Sequence, residues 1–380
     1  MKTIEECRKA IDEIDDKIVE LYLNRLKLVA EIGAAKSQSG KNVTDSEREQ
    51  SVLYRLTENM PDNYALYVKE LYAAIFGASK AYQTSIVGKT SQTVEEITGI
   101  MKAGLKDFPV RSAVACQGVK GANSGAACKK LFPICDITYV KTFEGVFAAV
   151  EKGLCEFGIL PVENSTAGSV AEVYDLMKKH NFHIVGACRM KIEHCLAAVN
   201  GAKLEEIKKV ISHPQALRQC AEYIKKNGFE EESAENTATA ARRVAESGEK
   251  NVAVICSPDC ANVYGLTVLD RAVQNNALNY TRFICISKGL NIYKGSDKIS
   301  IMTSLNHKPG SLNSILTKFS SLGLNLTKIE SRPIEGTDFE FMFYFDFLAD
   351  VTEKETLNLI AELENSSDKF VFLGSYKEVI

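Results

Sequence analysis

Apolar residues recur at helical spacing along the first part of the chain, from residue 1 to about residue 87. No proline interrupts this stretch before Pro61, so the pattern predicts an all-helical region. The first helix carries an apolar seam with heptad spacing, at Ile4, Cys7, Ile11, Ile14, Ile18, Leu21, Arg25, Leu28, Ile32 and Ala35. Arg25 occupies a core position of this seam, where a charge is costly unless it is paired. Arg25 is therefore either an arginine that extends to solvent at the seam's edge or a cation that meets a buried anion.

Two further regions follow the helical one. Short apolar strands alternate with helices from Val110 to about Ile286, which is typical of α/β layers. After a polar break at 288–298, the chain runs strand, helix, strand, strand, helix, strand, which is the order of a ferredoxin-like unit. The pattern predicts a multidomain protein whose parts are an all-α domain at 1–88, a linker at 89–108, an α/β domain at 109–288 and an α+β ferredoxin-like domain at 297–380.

Composition narrows the functional classes. The 380 residues carry a net charge of −3, which argues against a nucleic-acid binder, because such proteins normally present a basic face. Residues 1–17 contain no apolar signal core, and no run of about 18 apolar residues is present, so we expect no membrane segment. The 11 cysteines have no even spacing, which indicates reduced thiols and a cytoplasmic protein. Ligand spacing favours no metal site, and we expect no cofactor.

Several polar residues of the helical region share helix faces. They are Arg25 with Lys36, Asp45 with Arg48 and Glu49, and Ser79 with Gln83. Each group alone is weak evidence, because such pairs usually lie on solvated faces. Together with Arg8, and with the spacing preserved throughout, they resemble the all-helical chorismate mutase family over about residues 4–85.

This resemblance implies a site for chorismate, a dicarboxylate. The rearrangement to prephenate is pericyclic, so the site must hold one conformer and stabilise negative charge on the breaking ether oxygen. The resemblance implies that Lys36 and Gln83 donate to that oxygen. It implies that the carboxylates are bound by Arg8, Arg25 and Arg48, and that Glu49 and Asp45 contact the ring hydroxyl and its surroundings. Ser79 belongs to the same substrate-binding set.

Polar clusters in the α/β region stand where predicted strands end or begin. They are GVKGANS at 118–124, ENSTAG at 163–168, SHPQAL at 212–217, NTATAA at 236–241 and TRF at 281–283. Ordinary strand–helix turns and helix caps remain an alternative for several of them, and His213 is either structural or catalytic. Because strand ends in an open α/β sheet converge on a crevice, the hydroxyl and amide groups favour a small polar anion as ligand.

These five clusters resemble the prephenate dehydratase family over about residues 110–287. The resemblance implies two α/β subdomains around a cleft, as in periplasmic binding proteins. We expect 110–186 and 266–287 on one side of the cleft and 187–265 on the other. It also implies loss of carbon dioxide and hydroxide from prephenate to give phenylpyruvate.

The resemblance implies that Thr281 acts on the departing hydroxyl. Because a threonine is a poor acid alone, we hypothesise that Glu163 supplies or relays the proton. Arg282 is either a carboxylate anchor or a structural residue. The expected prephenate-binding residues are Ser124, Asn164, Ser165, Thr166, Ser212, Gln215, Thr237, Thr281, Arg282 and Phe283.

The C-terminal region resembles ACT regulatory domains over about residues 298–380. PGSL at 309–312 and ESRP at 330–333 carry the likeness, with the alternative of a plain dimerising domain. The resemblance implies a phenylalanine site that contains Gly310, Ser311, Leu312, Glu330, Ser331 and Arg332. We expect the ligand to lie between two such domains.

The three resemblances together imply a bifunctional enzyme of phenylalanine synthesis, with chorismate and prephenate as substrates and L-phenylalanine as effector. An arogenate-preferring dehydratase and a non-catalytic amino-acid sensor are the alternatives. A homo-oligomer, dimer or tetramer, is expected for a geometric reason. Arg8 and Arg25 lie about 26 Å apart along one helix, so both can bind chorismate only if Arg8 reaches a partner chain's site.

Overall fold

The computed structural model describes residues 3–39, 46–87, 91–305, 310–334, 336 and 340–380. The N-terminal region is helical, as predicted. Its helices are α1 (Ile4–Ser39), α2 (Ser46–Thr57) and α3 (Asp62–Val87). A further helix, α4 (Gln92–Ala103), lies within the range 89–108 that was expected to be a linker, and it buries Ile97. Within the described ranges, no helix is long and apolar enough to cross a membrane, and no cluster of three or more His, Cys, Asp or Glu side chains could hold a metal ion.

The α/β region alternates strands and helices. Its first part contains β1 (Arg111–Gln117), α5 (Asn123–Leu131), β2 (Ile134–Val140), α6 (Phe143–Glu151), β3 (Phe157–Asn164), β4 (Gly168–Ser169), α7 (Ala171–Lys179) and β5 (His183–Lys191). Its second part contains β6 (Cys195–Ala198), β7 (Lys209–Ser212), α8 (Pro214–Gln219), α9 (Ala221–Asn227), β8 (Glu230–Ser233), α10 (Thr237–Ser247), β9 (Val252–Cys256), α11 (Pro258–Val263) and β10 (Thr267–Asp270). The region closes with β11 (Tyr280–Ser287).

The C-terminal region follows the predicted order of elements. They are β12 (Lys298–Leu305), α12 (Ser311–Ser321), β13 (Asn325–Pro333), β14 (Phe341–Leu348), α13 (Lys354–Ser366) and β15 (Phe370–Tyr376). A short strand that was not predicted, β16 (Glu378–Val379), follows them. The sheet order is β13-β14-β12-β15, which is the arrangement of a ferredoxin-like unit.

Two sheets form the α/β region. The first has the order β16-β5-β11-β3-β1-β2, with β4 paired to β3. Its strands β1, β2 and β3 are parallel, and β11 is antiparallel to both β3 and β5. The second sheet has the order β10-β6-β9-β7-β8. Each sheet has its own buried core. The core of the first sheet includes Phe132 and Phe157, and the core of the second sheet includes the buried alanines of α10.

The limits expected for the two sides of the cleft were wrong. Residues 187–191 continue β5 in the first sheet, and β10 pairs with β6 in the second sheet. The chain therefore passes between the two sheets at 192–194 and at 271–279. Both connections are polar enough to look like ordinary loops, so the pattern of the sequence did not place them.

The chain forms two compact units. One contains residues 1–99, 302–344 and 352–371, and the other contains 100–301, 345–351 and 372–380. The second unit therefore holds both α/β sheets together with one end of the C-terminal sheet. Within it, the last strand β16 runs parallel to β5, with Glu378 opposite Ala187 and Val379 opposite Cys188. Gly374 of β15 lies so close to β5 that a Cβ there would stand 2.1 Å from the Ile184 carbonyl oxygen.

Candidate functional site

The centre of the candidate site is a contact between the last residue of β3 and the second residue of β11. Asn164 is opposite Thr281 in the antiparallel register, and its amide nitrogen lies 2.9 Å from Thr281 Oγ1. The same nitrogen lies 2.8 Å from Asn279 Oδ1 and 3.2 Å from the Tyr280 carbonyl oxygen. Because Thr281 accepts from Asn164, its hydroxyl proton is left to donate to another group.

The turn between β3 and β4 is organised by the same asparagine. The Asn164 Oδ1 atom accepts from the backbone N–H groups of Thr166 at 3.0 Å and Ala167 at 2.8 Å. Ser165 ties this turn to the chain before β11, since its hydroxyl donates to Leu278 O at 3.0 Å and accepts from Tyr280 N at 2.9 Å. Ser165 therefore acts as a brace, whereas the sequence predicted a substrate ligand.

A cavity of about 400 Å³ lies beside this turn. It is lined by Thr166, Ala167, Gln215, Arg218, Gln219, Gln274, Asn275, Asn276 and Asn279. Thr166 and Gln215 were expected from the sequence, and Arg218 with the amide groups of 274–279 was missed. The run QNNALN before TRF carried the signal, because four amide side chains in six residues are unusual for a plain loop. Among the lining residues, Arg218 is the cation and none is acidic.

His194 supports the wall of this cavity from behind. Its Nε2 lies 2.9 Å from Gln219 Oε1, and its backbone N–H donates to Gln274 Oε1 at 2.9 Å. Burial lowers the pKa of His194 below its usual value, although the bond to Gln219 opposes the shift. His194 is 5% exposed, and its neutral ring holds Gln219 while its backbone N–H holds Gln274 at the cavity wall. His213, by contrast, caps α8 by accepting from Gln215 N at 3.2 Å, which is a structural role.

Three residues expected to bind prephenate are buried elsewhere. Ser212 is fully buried and donates to the Ile255 carbonyl at 2.6 Å. Phe283 is 2% exposed and belongs to the core of the first sheet. Arg282 is also buried, and its guanidinium donates to Asp346 and, at 2.7 Å, to Tyr376. These predictions were wrong because motif position does not reveal which face of a strand a side chain occupies.

Two other expected residues, Ser124 and Thr237, do not line the cavity. Ser124 is buried in the first turn of α5, and Thr237 begins α10 after the cap made by Asn236. The loop before α5 lies against the second subdomain, because Tyr264 donates to the Lys120 carbonyl at 2.8 Å.

Glu163, the hypothesised source of a proton, directly precedes Asn164 in β3. The register pairs Glu163 with Arg282 and pairs Asn164 with Thr281. Since neighbouring side chains on a strand point to opposite faces, Glu163 belongs to the face opposite Thr281. The relay of a proton from Glu163 remains a hypothesis.

The helical domain brings part of the expected chorismate site together. Arg25 donates to Ser79 Oγ, and its guanidinium carbon lies 5.8 Å from the centre of the Phe76 ring. Gln83 is buried and donates to Val29 O at 3.1 Å. Glu49 forms an ion pair with Lys80 at 2.9 Å, which the sequence did not predict. Arg8 and Arg48 are exposed, whereas Asp45 and the Lys36 side chain lie outside the described residues.

The expected phenylalanine site is described in part. Gly310 has a φ of +85° and is the N-cap of α12, which Ser311 begins; Ser311 and Leu312 are half-buried. Glu330, Ser331 and Arg332 lie at the end of β13, an edge strand, and Glu330 forms an ion pair with Lys328 at 3.4 Å. Pro309 lies outside the described residues.

The chain thus has two α/β sheets and a polar cavity lined by the β3–β4 turn, by α8 and by the connection at 271–279. Thr281, which accepts from the Asn164 amide, lies beside this cavity, and these features define a protein of the two-subdomain α/β class. Comparison with known proteins identifies the family. The Prephenate dehydratase family matches residues 114–290, and the family Chorismate mutase type II matches residues 7–84.

Individual relatives cover most of the chain. Arogenate dehydratase 2 of Petunia hybrida is 38% identical over 70% of this chain and 72% of its own length. The bifunctional chorismate mutase/prephenate dehydratase of Escherichia coli K12 is 29% identical over 97% of this chain and 95% of its own. The structure of prephenate dehydratase from Arthrobacter aurescens in complex with L-Phe matches with a TM-score of 0.63 and 28% identity, over 70% of this chain and 89% of that one.

The chain belongs to the prephenate dehydratase family and carries a chorismate mutase domain on the same polypeptide. It is thus a homologue of the bifunctional chorismate mutase/prephenate dehydratase, with a domain for each activity.

The two activities should separate by mutation. Thr281→Ala should lower dehydratase turnover about 100-fold, the scale of a lost hydrogen-bond donor to a leaving group, and leave the mutase rate unchanged. Thr281→Ser, which keeps the hydroxyl, is the matched control. Lys36→Ala should lower only the mutase rate by a similar factor. Steady-state assays of both reactions check this, and loss of both activities in a folded Thr281→Ala protein would contradict the assignment of Thr281 to one domain.

Proposed function

We propose that the chain converts chorismate to prephenate in the helical domain and prephenate to phenylpyruvate in the α/β cleft, with feedback inhibition by phenylalanine. The observation that carries the dehydratase proposal is the placement of Thr281. Its hydroxyl accepts from Asn164 and keeps its own proton available, close to the polar cavity that Asn279 lines.

Eleven cysteines without a disulfide are in keeping with a cytoplasmic location.

The chemistry of the cleft follows from these groups. In prephenate, the carbon–carboxylate bond breaks, and its electron pair passes through the ring to expel the hydroxyl group. Thr281 donates a hydrogen bond to that departing hydroxyl, and Asn164 fixes the orientation of the donor. Arg218 supplies the positive charge for a substrate carboxylate, the role for which Arg282 was expected. The remaining amide groups bind polar atoms without adding a competing charge.

The charge of the cavity favours prephenate over arogenate. Arogenate replaces the keto group of prephenate with an ammonium group, which calls for an acidic partner. The residues that line the described cavity include no carboxylate. The Petunia relative is an arogenate dehydratase by name, so both substrates belong in the test.

Partner subunits complete the proposed mutase. In the single chain, the predicted seam of α1 is exposed: Ile4 75%, Ile11 54%, Ile14 54%, Ile18 53%, Leu21 69%, Leu28 60% and Ile32 50%. Burial of one such side chain contributes roughly 1.5–3 kcal/mol, so a second copy packed on this face is strongly favoured. We propose a homodimer through α1, either alone or within a tetramer, in which Arg8 reaches the site that contains the partner's Arg25.

Phenylalanine is proposed to bind the C-terminal domain. The N–H groups at the start of α12 suit the ligand's carboxylate, and the acceptors at Glu330 and Ser331 suit its ammonium. Gly310 has a positive φ at this turn, which leaves the backbone open to a close approach. Because β13 is an edge strand, two copies can pair around the ligand.

Side-by-side kinetics should show preference for prephenate. We expect kcat/KM for prephenate to exceed that for arogenate by about 10-fold or more, because the cavity offers no carboxylate to an ammonium group. The measurement is phenylpyruvate and phenylalanine formation under identical conditions. Equal or greater kcat/KM with arogenate would identify the chain as an arogenate dehydratase. If neither substrate were turned over, the remaining alternative would be a non-catalytic amino-acid sensor.

Mixed mutants should reveal shared mutase sites. Arg8→Ala and Arg25→Ala should each lower mutase activity strongly, because each removes a proposed carboxylate anchor. When the two proteins exchange subunits, a hybrid dimer has one site with both arginines, so up to half of the wild-type activity per hybrid should return. The control mixes each variant with itself. If mass spectrometry demonstrates that the subunits have exchanged and no mutase activity returns, the active sites are not shared between chains.

Phenylalanine binding should depend on Glu330. Glu330→Gln should weaken phenylalanine binding about 10-fold, since a charged hydrogen-bond partner of the ammonium is lost, and dehydratase turnover without phenylalanine should be unchanged. Glu355→Gln, at an exposed site on α13, is the matched control. Calorimetric titration and inhibition curves on the full chain check this. If Glu330→Gln bound and responded to phenylalanine as wild type does, the effector would bind elsewhere.

A further inference from the structure

A buried, closed cycle of hydrogen bonds surrounds the Arg282 side chain. Arg282 donates to Tyr376 at 2.7 Å and to Asp346 Oδ2, and Ser300 donates to Asp346 Oδ1. Ser300 and Tyr376 lie 2.7 Å apart, oxygen to oxygen. Because Ser300 gives its single proton to Asp346, Tyr376 must donate to Ser300. Arg282, Tyr376, Ser300 and Asp346 thus form a hydrogen-bonded cycle in which each hydroxyl donates one bond and accepts one.

The hydrogen-bonded cycle connects β11 to the C-terminal sheet. Ser300, Asp346 and Tyr376 come from β12, β14 and β15, which are adjacent strands of that sheet. These residues belong to the same compact unit as Arg282. A single side chain of the strand that carries Thr281 is therefore held by three strands of another sheet.

Charges around the cycle are balanced. The two buried cations, Arg282 and Lys298, are matched by the buried carboxylates of Asp346 and Glu378. Burial lowers the pKa of Arg282, but Tyr376, Asp346 and Glu378 outweigh it and raise the pKa overall. Burial raises the pKa of Glu378, and the bond from Lys298 with the nearby Arg282 reverses this and lowers it. Both groups therefore stay ionised across the range in which enzymes of this kind are assayed.

Stability alone does not account for such a cluster. A buried ion pair gains little over an apolar cluster of the same shape, because desolvation offsets the attraction between the charges. What an ion pair adds is a fixed geometry. The Arg282–Asp346 ion pair involves the residue next to Thr281, so the part of the molecule whose geometry it fixes is β11.

The backbone of β11 needs such support at this point. Its pairing with β3 shifts register between Arg282 and Phe283, so the regular ladder is interrupted one residue after Thr281. A bulge of this kind changes the direction of nearby side chains and weakens the pairing that would hold them. Arg282 lies on the face opposite Thr281, so its anchoring restrains the strand without entering the cavity.

We propose that Arg282 is a positioning residue of the dehydratase reaction, which holds Thr281 at the cavity through the hydrogen-bonded cycle with Tyr376, Ser300 and Asp346. The C-terminal sheet is then a structural part of the dehydratase site. This inference rests on the proposed function of Thr281 as donor to the departing hydroxyl.

The experiment removes one atom of the cycle. Tyr376→Phe keeps the buried ring and deletes the hydroxyl that accepts from Arg282. We expect kcat for phenylpyruvate formation from prephenate to fall about 10-fold, the scale of one lost hydrogen bond to a charged group, while KM changes less than about 2-fold. The chorismate mutase rate of the same protein should be unchanged, and circular dichroism and thermal unfolding should match wild type, which together show that the chain is folded.

A matched control lies on the same strand. Ser375→Ala also removes a fully buried hydroxyl from β15, but within the described residues that hydroxyl has no hydrogen-bond partner, so dehydratase kinetics should stay at wild-type values. If Tyr376→Phe lowers expression or folding, Ser300→Ala opens the cycle with a smaller change, and the same fall in kcat is expected.

A double mutant tests whether the residues act together. Arg282→Lys should also lower kcat, because lysine cannot bridge Asp346 and Tyr376. Adding Tyr376→Phe to Arg282→Lys should then cost little more, since the cycle is already open. Additive losses would overturn the proposal. A wild-type kcat in Tyr376→Phe would also overturn the proposal. A raised KM in Arg282→Lys with an unaltered kcat would overturn it too, because that result would identify Arg282 as a substrate-binding residue. Wild-type enzyme that makes no phenylpyruvate would instead disprove the proposed function.

Discussion

The antiparallel pairing of β11 with β3 is the constraint on which the dehydratase site depends. It sets Asn164 against Thr281, and from this contact follow the turn at Thr166, the brace at Ser165 and the side of the cavity that these residues form. Because side chains alternate along a strand, the same pairing sends Glu163 and Arg282 to the other face. One register therefore places Asn164 and Thr281 on one face of the paired strands and Glu163 and Arg282 on the other.

The sequence predicted the order of domains and most of the elements, because periodicity and turn residues are local properties. It also named Thr166 and Gln215, which line the cavity, and Asn164 and Thr281, which contact each other beside it, since all four lie in motifs at strand ends. It failed for Ser212, Arg282 and Phe283, whose motifs are as specific but whose side chains are buried. Which face of a strand a residue occupies depends on register and on neighbouring sheets, and neither can be determined from one sequence.

Arg218 and the amides at 274–279 show a second kind of failure. Arg218 lies on the exposed side of α8, where sequence patterns predict polar residues regardless of function. The amides lie in a connection between the two sheets, where their density was the available signal. His194 is different again. It stands alone in the sequence, and only its burial beside Gln219 and Gln274 shows that it supports the cavity wall.

Arg25, Arg282 and the seam of α1 share one physical feature. Each needs a partner, an opposite charge for the arginines and an apolar surface for the seam, that its own helix or strand does not supply. Arg282 on β11 would be a buried charge without the C-terminal sheet, which supplies Asp346 and Tyr376. Arg25 finds Ser79 and the Phe76 ring within the helical domain, and as a cation it still lacks an anion there among its described contacts. The exposed isoleucines and leucines of α1 find nothing in the single chain. A charge or apolar face that is costly in isolation indicates what must be added. A neighbouring sheet supplies it for Arg282, and we propose a dicarboxylate substrate for Arg25 and a second copy of the chain for α1.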